Sequence, residues 1–423
     1  MKTILFISPT GTLENGAEVS IFFLMKQLVE DGYNVINVFP KSYKHGQRTY
    51  IKKMTAAGIK VRRIDVLKWW WPNAPVTEEI CKKDRDFYYD ANFRELLQIV
   101  FKEQVDLVIS NTVNVFLGAY AADKLGIPHF WLIHEYPENE FSYYIEYISE
   151  ISRLSQKIFS VGGPLNEELN RLFLGRQIDT FYPYVDVINE SYTVKELLVD
   201  APITLFSIGK ITKRKNQLEL IKAFGEVKIQ FPDIELMLIG DAEPKYLQEC
   251  KNYLKEKRIQ NVHFLGVKDN PWTEVPDNAI CVLTSKNETF GLVYVEALLN
   301  GFPVIISNND GFLTAYGLFG KGIIYKQGMN NELVKIICQM IVDFRSYKSE
   351  FLKYRKEANK IYTSSKMYQN IIREINNINY STSLTSDNYD TIHLTYYKKR
   401  ENIRKFWIKI KIVVSYLIRK FNS

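Results

Sequence analysis

Residues 286–297 read Lys286-Asn287-Glu288-Thr289-Phe290-Gly291-Leu292-Val293-Tyr294-Val295-Glu296-Ala297, and the fold is decided there. Two glutamates stand eight positions apart, with a Phe-Gly turn just after the first. Ahead of them, residues 278–284 (NAICVLT) form an apolar run, which predicts a buried strand. Behind them, residues 292–299 predict a helix, and Gly301-Phe302-Pro303 stops it before a second strand at 304–307. Glu288 therefore falls on the loop at the C-terminal end of a strand, and Glu296 on the helix that follows. Open α/β sheets bind ligands at those strand ends, where helix N-termini point N–H groups outward. A phosphate can sit on the N–H groups near Gly291 and Leu292. The two carboxylates are then left to accept hydrogen bonds from hydroxyls, such as those of a sugar or a ribose.

The pattern Ser285-x-x-Glu288-x-Phe290-Gly291-Leu292, then Glu296-Ala297 and Gly301-x-Pro303-Val304, resembles the Glu-x7-Glu signature of the retaining nucleotide-sugar glycosyltransferases of family 4. That resemblance implies the GT-B fold, two Rossmann-like domains facing a cleft. It gives Glu288 to the donor sugar hydroxyls, Glu296 to the ribose, and Phe290, Gly291 and Leu292 to the donor phosphate. The family carries a basic residue after a Gly and a Lys before the next helix. Lys210 and Lys215 occupy those places in 207–216 (SIGKITKRKN). They would neutralise the departing diphosphate, with no cofactor and no metal expected. Lys210 stands where Arg is commoner, so a bidentate fork is lost there. The family's Gly-Gly and later Glu after the next strand are replaced here by Asp310-Gly311 and Thr314.

Alternation of strands and helices reaches the same architecture without the resemblance. Strands are expected at 3–8, 34–39, 60–64, 105–110, 129–133, 157–161 and 178–181, with helices at 16–31 and 115–124. The pattern restarts with strands at 203–208, 234–239, 262–265, 279–284 and 304–307 and helices at 216–230 and 246–255. Two doubly wound parallel sheets follow. The expected organisation is an acceptor domain over 1–186, a donor domain over 202–349 and a helix crossing back over 350–375. A polar flexible linker over 376–397 and a basic amphipathic tail over 398–423 complete it.

In the first half, the loop after the first strand lacks both Gly-x-Gly-x-x-Gly and Gly-Lys-Ser/Thr, so dinucleotide and P-loop readings fail. Asn15-Gly16-Ala17-Glu18 looks like the family's Gly-Gly-x-Glu loop with Asn in first place, and Gly16 would let a donor phosphate or the acceptor approach the backbone. His134 ends the strand at 129–133, where the family commonly has a His. It can hydrogen-bond a donor hydroxyl, shape the acceptor site, or simply pack. Asp84-Arg85-Asp86 matches the Asp-x-Asp of metal-dependent transferases but lies in a charged helical run and reads as a solvated face. Trp69-Trp70-Trp71 grips an acceptor or packs beneath the following helix; the sequence leaves both open.

Composition narrows the class. At 423 residues the chain exceeds a single core, and its four cysteines show no paired spacing, as in a reducing compartment. The net charge of +7 is uneven: residues 398–423 carry +8 and the remainder −1. A nearly neutral body argues against a nucleic-acid partner. Read as a helix, residues 404–421 place eight apolar side chains within an arc of about 140°, with lysines interrupting any bilayer-length run. The tail is expected to bind an anionic membrane surface, holding a cytoplasmic enzyme on the inner face, or else to dock on the first domain or a partner. The partners expected are a nucleotide sugar donor and a saccharide or lipid-linked acceptor. The competing classes are a non-catalytic GT-B subunit and an epimerase or phosphorylase on the same fold.

Overall fold

A computed structural model describes residues 1–42, 45–65, 71, 74, 82–186 and 202–378. The chain divides into two compact units. One takes in Met1–Tyr184 with the described residues from Met367 on; the other is Val185–Lys366. Trp69, Trp70, most of the linker and the whole basic tail lie outside the described residues.

The first unit is built on seven strands: β1 (Thr3–Ile7), β2 (Asn34–Pro40), β3 (Lys60–Ile64), β4 (Leu107–Asn111), β5 (His129–Ile133), β6 (Lys157–Val161) and β7 (Asp179–Phe181). All are parallel, in the order β3-β2-β1-β4-β5-β6-β7. β1, β4 and β5 are buried at every position, as strands covered by helices on both faces must be. The edge strand β3 exposes Lys60, Arg62 and Arg63, charges that discourage a further strand from pairing there.

The second unit holds β8 (Thr204–Ile208), β9 (Glu235–Ile239), β10 (Val262–Gly266), β11 (Ala279–Leu283), β12 (Val304–Ser307) and β13 (Ile323–Tyr325), parallel in the order β10-β9-β8-β11-β12-β13. Leu220, Phe224 and Val227 of the helix Gln217–Gln230 and Leu333, Ile337 and Met340 of the helix Asn330–Val342 bury one stripe each into its core. The spacing of three and four is what gives a helix one apolar face, and each such side chain contributes about 1.5–3 kcal/mol on burial.

Strand order reverses between β1 and β4 in one sheet and between β8 and β11 in the other. At such a switch the loops leaving adjacent strand ends diverge and open a crevice. In the second unit those loops are residues 209–216 and 284–291, which brings Lys215 and Glu288 together although 73 positions separate them.

The expected crossing helix at 350–375 is divided. The helix Phe344–Ile361 packs on the helix Leu292–Leu299 and belongs to the second unit, burying Phe351 and Ala358. The chain joins the first unit only from Met367. There Tyr368 is buried, donating to the Ser20 carbonyl at 2.6 Å and lying 2.9 Å from the Ser20 hydroxyl. The helix Gln369–Asn377 packs along β7.

Candidate active site at two strand ends

The loop after β8 is stapled by its own polar side chains. Gln217 accepts the Thr212 N–H at 3.2 Å and donates to the Lys210 carbonyl at 3.1 Å, while Thr212 Oγ1 accepts the Lys215 N–H at 3.2 Å. Thr284, just past β11, donates to the Asn216 carbonyl at 2.9 Å, and the Lys286 N–H donates to the Arg214 carbonyl at 2.7 Å. Two loops from adjacent strands are thereby sewn together. A third strand end joins them: Ser307 Oγ and Asn309 Nδ2 both donate to the Ser285 carbonyl, at 2.6 and 3.0 Å.

Lys215 Nζ lies 2.5 Å from Glu288 Oε1, and Arg214 Nη1 lies 3.4 Å from Oε2. The Glu288 side chain is 9% exposed, against 20% for Lys215. Burial pushes the Glu288 carboxyl up, but Lys215 and Arg214, with hydrogen bonds from Lys215 and Ser285, outweigh it and hold the group below the ordinary range. A recess beside the pair is lined by Ser207, Lys215, Ser285, Glu288, Gly291 and Phe312.

Two glycines make the recess possible. Gly291 sits at φ +83°, the left-handed start of the helix Leu292–Leu299, and a Cβ there would meet the Phe312 ring at 2.3 Å. A Cβ on Gly311 would lie 2.3 Å from the Glu288 carbonyl oxygen. The Asp310-Gly311 pair thus keeps the glycine that lets the helix Asp310–Phe319 approach the Glu288 backbone.

Glu296 is half-buried on its helix, and Trp272 Nε1 donates to its Oε2 at 2.8 Å. Burial raises the Glu296 carboxyl to about 7, against the Trp272 hydrogen bond and the Lys215 charge. Trp272 carries no family motif and stands 24 positions away, so nothing in the sequence signalled it. Phe290 is buried and Leu292 opens the helix. Lys210 stands apart from this cluster: its Nζ is 3.7 Å from Asp241 Oδ2, with both side chains more than half exposed. Such a pair contributes little.

In the first unit, Gly16 is exposed and begins the helix Gly16–Glu30. The adjoining loop is fixed by Glu18, which is fully buried and accepts the N–H groups of Thr10 at 3.0 Å and Gly11 at 2.8 Å. His134 Nε2 is 2.9 Å from Asn111 Oδ1 and its ring meets Phe181 edge-on. An amide oxygen only accepts, so Nε2 carries the proton and Nδ1 is left as an acceptor. Burial lowers the imidazole to about 3, so it is neutral at physiological pH.

Glu135, unremarked in the sequence, is half-buried beside it and raised to about 7 by desolvation; it accepts the N–H groups of Val113 and His134 at 3.1 Å each. Trp71 is core: it stacks on Tyr147 and Phe116 and donates to the Val113 carbonyl at 3.0 Å. Asp84 lies in the first turn of the helix Lys82–Lys102, with Arg85 and Asp86 next along it. Among the described residues no group of three or more His, Cys, Asp or Glu side chains is arranged to hold a metal ion.

These paired sheets have the GT-B fold of glycosyltransferases. A crystal structure of Anabaena Alr3699/HepE in complex with UDP and glucose matches with a TM-score of 0.70, at 18% identity, over 89% of this chain and 100% of that one. Residues 189–359, all within the second unit, match the family model described as glycosyl transferases group 1. Among curated proteins, the poly(glycerol-phosphate) alpha-glucosyltransferase of Bacillus subtilis is 28% identical over 160 residues, 36% of this chain and 22% of that protein. The alpha-monoglucosyldiacylglycerol synthase of Streptococcus pneumoniae is 28% identical over 299 residues, 63% of this chain and 65% of that protein. The chain therefore spans less than two thirds of the length of either relative.

Proposed function

We propose that the protein is a retaining glycosyltransferase that moves a hexose from a nucleoside diphosphate sugar to a saccharide or lipid-linked acceptor. The observation that carries this reading is the half-buried Lys215–Glu288 pair at adjacent strand ends, with Glu296 on the helix that follows. Lys215 would leave Glu288 for the donor diphosphate and stabilise its charge as the bond to the sugar breaks, with Lys210 adding a weaker, solvated charge. Glu288 would accept the sugar hydroxyls and Glu296 those of the ribose. The helix starting after Gly291 would give N–H groups to phosphate. Neutral His134 offers Nδ1 as an acceptor for a substrate hydroxyl. Fixed cations supply the charge that a metal ion supplies elsewhere, so no cofactor is included.

The names of the two relatives, an alpha-glucosyltransferase of a glycerol-phosphate polymer and a glucosyldiacylglycerol synthase, support an acceptor in surface-polymer or glycolipid synthesis. The basic tail supports peripheral attachment to the inner face of the membrane; no helix among the described residues is long and apolar enough to cross one. Full-length protein should co-sediment with anionic vesicles and protein lacking residues 391–423 should not. Retention is tested by proton NMR of the transferred sugar. An α-linked donor should give an α-linked product, and a β-linked product would sink the reading.

A further inference from the structure

Trp272 sits in the short 3-10 turn Pro271–Thr273, between β10 and β11, and is 6% exposed. Asn270 fixes the turn by accepting the Trp272 backbone N–H at 3.2 Å. The indole stacks on Phe302, with centroids 5.9 Å apart and planes 26° apart, and meets Phe206 edge-on at 5.9 Å. Phe206 and Phe302 in turn meet at 5.2 Å. Lys348, fully buried, places Nζ 4.0 Å from the Phe302 centroid and has no hydrogen-bond partner among the described residues. A box of this kind leaves the indole one orientation, because aromatic packing is directional and a buried ring cannot turn without displacing its neighbours.

That orientation aims the indole N–H at Glu296 Oε2, 2.8 Å away. Indole donates and never accepts, so the hydrogen bond has one sense. The other described tryptophans behave differently: Trp71 donates to the Val113 carbonyl and Trp131 to the Thr112 carbonyl. Those bonds satisfy a buried N–H and hold a loop. Trp272 spends its N–H on a carboxylate whose other oxygen, Oε1, makes no hydrogen bond among the described residues. Fixing one carboxylate oxygen fixes the plane of the group, and with it the directions in which the second oxygen accepts.

We propose that Trp272 is a positioning residue of the donor site: by holding Glu296 Oε2 it sets how Oε1 receives a ribose hydroxyl, and selectivity for ribonucleotides over deoxyribonucleotides depends on it. The role requires the donor ribose to lie at Glu296, as proposed above. A hydrogen bond to a charged group changes binding about tenfold or more when lost.

The test is calorimetric titration of the full-length protein with UDP, ADP and GDP and with their 2′-deoxy and 3′-deoxy analogues. Trp272→Phe keeps a ring for the box and deletes the N–H. Wild type should bind one ribonucleotide about tenfold better than at least one of its deoxy analogues. Trp272→Phe should weaken the ribonucleotide about tenfold and the deoxy analogue less than twofold. In a Glu296→Ala background the same substitution should change ribonucleotide binding less than twofold. Equal losses for ribo and deoxy ligands, or an undiminished loss without Glu296, would make Trp272 merely structural. A wild type that binds the ribo and deoxy forms equally also overturns the role. If wild type binds none of the three diphosphates, the donor-site reading itself fails. Should Trp272→Phe not fold, Phe302→Leu loosens the box while keeping the N–H. The ribo preference should fall there too, and an unchanged preference would refute the role.

Discussion

Replacing Glu288 with Gln separates the two jobs assigned to the Lys215–Glu288 pair. In the free protein Glu288 neutralises Lys215 from 2.5 Å and touches Arg214 at 3.4 Å. Breaking a fully buried pair by removing one partner costs about 3–5 kcal/mol. Here Lys215 is 20% exposed and the Gln carbonyl oxygen can still accept its hydrogen bond, so a cost of ~2 kcal/mol is expected. For a unit of this size that lowers Tm by about 4–8 °C.

The pH dependence has a definite sign. The folded Glu288 carboxyl lies below its ordinary value of 4.5, so its stabilisation is present above that value and is lost as pH falls through the folded pKa. The Tm gap between wild type and variant should be constant from about pH 8 to about pH 5 and should close below that. Nucleoside diphosphate binding should behave oppositely to stability. Lys215 no longer has a competing carboxylate, so affinity should hold or rise. Transfer should fall about thirtyfold, the effect of losing ~2 kcal/mol of hydrogen bonding to the reacting sugar. Calorimetry and melting curves read both quantities. If Glu288→Gln weakens the diphosphate as much as Lys215→Ala does, the division of labour between sugar and phosphate is wrong.

Other residues give equally direct expectations. Gly311→Ala puts a methyl 2.3 Å from the Glu288 carbonyl oxygen, so it should cost about 1–3 kcal/mol in melting experiments and reduce transfer. Lys215→Ala should weaken nucleoside diphosphate binding by tenfold or more, whereas Lys210→Ala, at an exposed pair, should change it less than threefold at physiological salt. Glu296 is raised to about 7 in the fold, so its ionised form, dominant at pH 8, disfavours folding increasingly as pH rises from its ordinary 4.5 through 7. Glu296→Gln should therefore raise Tm at pH 8 and not at pH 4, while nucleotide affinity falls.

The sheet was legible wherever an apolar run was bounded by turn residues. The strands at 129–133, 157–161 and 304–307 were read to their ends, as was the charged edge strand at 60–64. β13 escaped because three residues carry no period, and the helix Asp310–Phe319 because its sequence, DGFLTAYGLF, holds two glycines in ten residues. The long helix expected at 350–375 breaks after Ile361, where packing on the second unit gives way to Tyr368 seated at Ser20. Strand-end logic put Lys215 and Glu288 on loops at neighbouring strand ends, where the structure brings them together, because position after a strand is a local property; Glu296 was placed on the following helix. It did not find Trp272 or Glu135. Each owes its part to burial beside residues distant in sequence or on another loop, and a Glu following a strand reads locally as a solvated charge.

The central claim is a nucleotide-sugar donor site in the second unit. A thermal-shift screen of nucleoside diphosphates and nucleotide sugars, on wild type and on Glu296→Ala, tests it most directly. A ligand that binds only the folded state raises Tm with its excess over Kd. One nucleotide family should shift wild type and lose that shift in the variant. No shift with any of them would contradict the claim and favour a non-catalytic GT-B subunit.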